Sequence, residues 1–159
     1  MRYLIMICLG SLIGLSACKS QQSGSSSQPM QTTVLMKGEM CGIEKAQNLL
    51  IRDLETFQSM WETYGKNQMP APKMPDIDFA TQAIIAVFMG TQSNGGYNVS
   101  VAEVAEEGSL LKVKVTHTVP GSNCLTTMAI TQPFQMVSIA KPAASEVAFE
   151  VNRVVNECK

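Results

Sequence analysis

The sequence predicts an α+β fold: a mainly antiparallel β-sheet or sandwich-like domain with one amphipathic helix over residues 54–64. Three features predict it. The first is the apolar run Ala83-Ile84-Ile85-Ala86-Val87-Phe88-Met89, which enters the loop Gly90-Thr91-Gln92-Ser93-Asn94-Gly95-Gly96-Tyr97. A segment apolar at every position suits a central strand covered on both faces. Three glycines and an Asn suit a chain reversal with positive φ angles. The second feature is a series of strand-length segments beyond Tyr97, separated by Gly and Pro turns. The third is the stripe Leu54, Phe57, Trp61 and Tyr64, spaced by three and four residues as on one face of a helix.

In chain order, an edge strand starts within Thr33 to Ile43, and Gln47 to Arg52 reads as a short strand. Asp53 is placed to cap the helix N-terminus, Glu55 suits the first turn, and Gly65 ends the helix as a C-cap. The stretch from Asn67 to Asp78 holds three prolines and reads as irregular loop; its Asp76 and Asp78 lack the further oxygen ligands a metal requires. From Tyr97 to Glu106 the apolar parity runs through Val99 and Val101, then shifts to Val104, which predicts a bulge near Glu103. Glu107-Gly108 turns the chain. Leu111, Val113, Val115 and His117 share one face of the next strand, with Lys112, Lys114 and Thr116 on the other. Pro120-Gly121 opens a second loop, reaching Cys124. Residues 126–140 read as one long strand in which Pro133 forces an edge or a bulge. A turn at Lys141 to Ser145 then returns Glu146 to Val155 as a final strand, with Val147, Phe149, Val151 and Val155 on one face.

The N-terminus carries a targeting pattern. Met1-Arg2-Tyr3 is followed by an apolar core from Leu4 to Leu15, too short to span a bilayer as a helix. Leu15-Ser16-Ala17-Cys18 is similar to the bacterial lipobox, in which the Cys thiol receives the lipid. The expected organisation is therefore a signal peptide over 1–17 and lipidation at Cys18. A Ser/Gln-rich tether follows over 18–33, then one globular domain over 34–159. This makes the membrane a partner through the lipid and puts the protein in the bacterial cell envelope. Lys19 replaces the Asp that signals inner-membrane retention in some Gram-negative bacteria, so the outer membrane is the expected site.

Five cysteines are present. With Cys8 in the signal and Cys18 acylated, Cys41, Cys124 and Cys158 remain in an oxidising compartment where disulfides persist. If the last two strands form a hairpin turning near residue 143, Cys158 lies opposite about residues 128–130, with Cys124 just beyond. A Cys124–Cys158 bond is then geometrically reasonable; pairing of Cys41 with either is the alternative.

Composition and motifs narrow the chemistry. Beyond residue 17 the chain holds 11 basic and 13 acidic residues, with no basic cluster, so no nucleic-acid partner is expected. The single His, His117, lies on an apolar strand face; no Ser or Cys stands in a recognised nucleophile motif, and a Cys in an oxidising compartment more often pairs than attacks, which counts against a dyad of His117 with nearby Cys124. No Walker loop, CxxC pair or carboxylate pair stands out. The expectation is a protein without catalytic residues, cofactor or metal, which presents the loop residues Asn94, Gly95, Gly96 and Tyr97 to a protein partner.

A family resemblance rests on Asp78-Phe79, Ala86-Val87-Phe88-Met89-Gly90, Gly95-Gly96-Tyr97, Pro120-Gly121 and Gln132-Pro133-Phe134. From about residue 78 to 155 this pattern resembles the C-terminal domain of the PrcB family, the protease complex subunit proteins. The resemblance implies a non-catalytic lipoprotein that associates with an exported protease and supports its assembly or stability. A second resemblance is to chagasin-type cysteine protease inhibitors, whose Asn-Pro-Thr-Thr-Gly-Tyr loop enters a protease cleft. Of that loop, Gln92–Tyr97 keeps only the Gly-Tyr pair. It implies a protease inhibitor; an envelope lipoprotein with a structural or ligand-binding role is the third reading.

Overall fold

The structure is a computed structural model that describes residues 28–66 and 68–158. The signal segment, Cys18 and the tether up to residue 27 lie outside the described residues. In chain order the elements are β1 (Gln28–Pro29), β2 (Thr33–Gly38), β3 (Gln47–Ile51), α1 (Leu54–Gly65), β4 (Gln82–Phe88), β5 (Asn98–Glu107), β6 (Leu110–Pro120), β7 (Phe134–Ala140) and β8 (Glu146–Asn156). They form two four-stranded sheets, one ordered β1-β5-β6-β8 and the other β2-β7-β4-β3. The α+β, sandwich-like class predicted from the sequence is what the chain adopts.

Alternation within β4 explains its uninterrupted apolar sequence. Ala83, Ile85 and Val87 join Val137 and Ile139 of β7 in a core shared with Val99, Val104, Leu111, Val113 and Val115 of the opposite sheet. Ile84, Ala86 and Phe88 face the other way, into a second core formed with Phe57, Met60, Trp61 and Tyr64 of α1. Both faces of the sheet are thus covered, by a sheet on one side and a helix on the other. The two layers are tied by a polar bridge. The register shift in β5 between Val101 and Glu103 frees a backbone amide at Val101, which donates to Gln135 Oε1 at 2.7 Å. A buried amide without a partner is costly, so the bulge and the buried Gln135 are explained together.

Asp53 caps α1, its carboxylate accepting from the Thr56 amide at 2.8 Å, which in general stabilises by about 1 kcal/mol. The same hydrogen bonds hold the Asp53 carboxyl below its ordinary pKa. The helix stripe differs from expectation at its first position: Leu54 is half exposed, and Met60 takes a buried place. Leu54 opens the helix, before the axis has brought its face over the sheet. Gly65 is the last helical residue but has no positive φ, and the backbone stays right-handed through Lys66.

Three further expectations are corrected. Regular pairing starts before residue 33, the expected end of the tether: Gln28 and Pro29 pair with Glu106 and Ala105, and the Met30 amide donates to Val104 O at 2.8 Å. The long strand over 126–140 begins only at Phe134; Pro133 precedes it, and β7 is central rather than an edge. The last strand makes no hairpin with β7. It crosses to the other sheet and runs parallel to β6, Leu110 opposite Glu146 through Pro120 opposite Asn156.

Candidate functional site

Strand register gathers three loops at one end of the sandwich. Gly38, Phe88 and Gln47 end or begin their strands level with Phe134. Asn98 and Asn156 do so level with the end of β6 at Thr118 and Pro120. Loops 39–46, 89–97 and 121–133, with the chain beyond β8, therefore emerge together. The opposite end carries the entry at Gln28, the turn at Gly108 and the link from β7 to β8.

The disulfide predicted between Cys124 and Cys158 is present, with the Cα atoms 5.0 Å apart. The hairpin expected between the last two strands is absent. Parallel pairing carries β6 and β8 to the same end, Gly121 N bonds Asn156 O at 3.0 Å, and the two cysteines follow. Cys41 is free and buried, which removes the alternative pairings. Burial pushes its thiol pKa up. Cys124, held in the disulfide, is not a thiolate partner for His117.

Loop 89–97 is a fixed platform rather than a protruding finger. Gly90 (φ +73°) lies so close to the 39–46 loop that a Cβ would sit 2.7 Å from Ala46 N and 2.8 Å from Glu44 O. Thr91 N donates to Glu44 O at 2.9 Å. Gln92 and Thr131 exchange backbone bonds of 2.8 and 3.1 Å, and Thr131 Oγ1 donates to Asn94 O at 2.9 Å. Gly96 has φ +87° and passes close to Pro120 and Thr126.

The four predicted partner-binding residues are therefore placed unequally. Gly95 is buried and its amide is used, donating to Thr127 O at 2.9 Å. Tyr97 is half-buried and packs against the inter-sheet core. Gly96 is exposed, and Asn94 is half-buried with its Oδ1 enclosed and unpaired among the described residues. The Gly95 amide is therefore already satisfied within the chain.

What protrudes is the neighbouring loop. Leu125 and Met128 are fully exposed and Ile130 is 64% exposed. These apolar side chains stand on a backbone held at both ends. The disulfide fixes one end. At the other, Gln132 N donates to Glu39 O at 2.6 Å and Gly42 N donates to Gln132 Oε1 at 2.8 Å. Met40, beside Glu39, is also exposed. Isolated exposed apolar residues are ordinary, whereas contiguous exposed apolar patches mark contact surfaces; here three lie within six positions of one braced loop. The sequence contained the signal, an apolar Leu-Met-Ile set between Pro120-Gly121 and Pro133, but reading 126–140 as a strand takes Met128 and Ile130 out of the loop.

Other candidates resolve into structural roles. Asp78 caps its own turn, accepting from Ala80 N at 3.0 Å and Thr81 Oγ1 at 2.9 Å. His117 lies in register between Val99 and Arg153, with Nε2 buried and unpaired among the described residues; burial lowers its pKa. A groove of about 430 Å³ between α1 and β3 has Glu55 as its only ionisable lining residue.

No curated protein and no solved structure matches the chain. A family model does match: residues 83–140, somewhat over a third of the chain, fit the family described as PrcB C-terminal. The chain is PrcB-like over this stretch, which comprises β4 to β7 and both loops of the site.

Proposed function

We propose that this protein is a non-enzymatic, lipid-anchored subunit that binds an exported protease through the loop-bearing end of its sandwich. The observation that carries the reading is the exposed set Leu125, Met128 and Ile130 on a braced loop inside the PrcB-like stretch. Apolar anchors on a rigid backbone give up little conformational entropy on binding, the property that makes a few side chains dominate an interface. Tyr97, Gly96 and Asn94 form the floor beside them, a part reduced from the leading role the sequence suggested. The family description supports a protease-associated partner, and the lipobox-like Cys18 supports an envelope site, the outer membrane for want of an Asp at position 19.

Inhibition is the second reading, favoured by the Gly-Tyr pair alone. Crosslinking in the native envelope, with wild type beside a Leu125→Asp, Met128→Asp variant, tests the proposal. The expected result is a protease recovered by wild type, lost by the variant and still active in the complex. Recovery of an inactive protease would favour inhibition. An unchanged set of partners with the variant would remove this end of the molecule from the function.

A further inference from the structure

Strand β8 is an open edge of unusual character. It is the last strand of its sheet and pairs with β6 on one side over all eleven residues, without a register shift. Its other side is unpaired among the described residues. Edge strands are ordinarily kept short or protected by a bulge, a Pro or charged side chains; Glu146-Val147-Ala148-Phe149-Glu150-Val151-Asn152-Arg153-Val154-Val155-Asn156 has no bulge and no Pro, and its charges, Glu146, Glu150 and Arg153, leave Val147, Val151, Val154 and Val155 exposed beside them. Val147, Val151 and Val155 lie in register with Leu111, Val115 and Val119, which are buried core residues. Yet Val151 and Val155 are 51% and 50% exposed. The strand overhangs the sheet beneath it and leaves the core side of its valines uncovered.

We propose that this edge joins two copies of the chain, β8 to β8 in antiparallel register about a two-fold axis at Val151. The sequence of the strand is close to a palindrome in polarity. With Val151 on the axis all eleven residues find a partner, and every opposed pair is compatible. Glu146 meets Asn156, Val147 meets Val155, Ala148 meets Val154, Phe149 meets Arg153, and Glu150 meets Asn152. Apolar pairs and cation–aromatic pairs stabilise neighbouring strands, whereas directly opposed like charges destabilise them. Moving the axis to residue 150 sets Glu150 against its own copy, and moving it to residue 153 does the same to Arg153. The N-terminal part of this chain is not the natural occupant, because it enters at β1 on the far edge of the same sheet. The proposal is independent of the loop-end reading and uses another face.

Single-cysteine crosslinking of the full-length chain in its membrane, followed by sedimentation of the detergent-extracted protein, tests it. A residue on the two-fold axis meets its own copy at a Cβ separation of roughly 4.5–5.5 Å. Val151→Cys is therefore expected to give a disulfide-linked dimer under mild oxidation, and Ala102→Cys, exposed on β5, is not. Wild type is expected to sediment as a dimer. Val151→Lys should weaken the dimer at least tenfold with its circular dichroism unchanged; Val155→Lys provides the same test should the first variant fold poorly. Wild type that stays monomeric at tens of micromolar would overturn the proposal. So would Val151→Cys crosslinking no better than Ala102→Cys, or crosslinking to a different protein.

Discussion

His117 is the residue whose surroundings make the sharpest solution prediction. It occupies a core-facing position on β6, and burial lowers its pKa from an ordinary value of 6.5. The folded protein therefore prefers the neutral ring, while the unfolded chain takes up a proton as soon as the pH falls through 6.5. Stability is full above that value and declines below it, because the unfolded state then binds more protons. As this is the single His in the chain and carboxylates titrate lower, the decline between pH 7 and 5.5 belongs to it. Thermal melting across that range should show a falling midpoint in wild type and a flat one in His117→Gln. Equal slopes would mean the ring is hydrated in solution. Cys124, seven positions on, is held in the disulfide and cannot pair with the ring as a thiolate.

At the scale of the elements, the Cys124–Cys158 bond closes a loop spanning 34 positions and ties the protruding loop to the end of β8. A crosslink of that span contributes about 2–4 kcal/mol. The Cys124→Ser, Cys158→Ser double variant should lose that amount in guanidinium unfolding, and a reductant should lower the midpoint of wild type but not of the variant. A midpoint unaltered by the double substitution would show that hydrogen bonds such as Gly121 to Asn156 already hold this end. How far such elements could be read in advance depended on whether the determining interaction was local. β4 announced itself because both of its faces are buried, the β5 bulge because parity breaks between Val101 and Val104, and α1 because Asp53 caps a clear stripe. The partner of β8 is decided by long-range packing: a short turn at 141–145 suits a hairpin, but the chain uses it to change sheets. The exposed loop was hidden for a related reason, since Leu125, Met128 and Ile130 look like core residues to any argument that assumes apolar side chains are buried.

Across the whole molecule, register separates two ends with different work. The chain enters the sheet at Gln28, opposite Glu106, beside the Gly108 turn, while the exposed loop, the disulfide and the chain end beyond β8 lie at the other pole. Strands of ten and eleven residues separate these poles by roughly 33–36 Å. Gln28 follows Cys18 by ten positions in the sequence. Under the proposed lipid anchor, the entry pole of a single copy would face the bilayer and the loop end would face away from it. The position of a tag then becomes a probe of the arrangement. An epitope inserted between Ser25 and Ser26 should leave protease capture as in wild type. The same epitope added beyond Cys158, next to Leu125 and Met128, should reduce capture several-fold while the protein remains folded and membrane-bound. Quantitative crosslinking with both tagged forms measures this directly. Equal capture by the two would place the partner away from the loop end, and loss only with the insertion near the entry would place it at the pole facing the membrane.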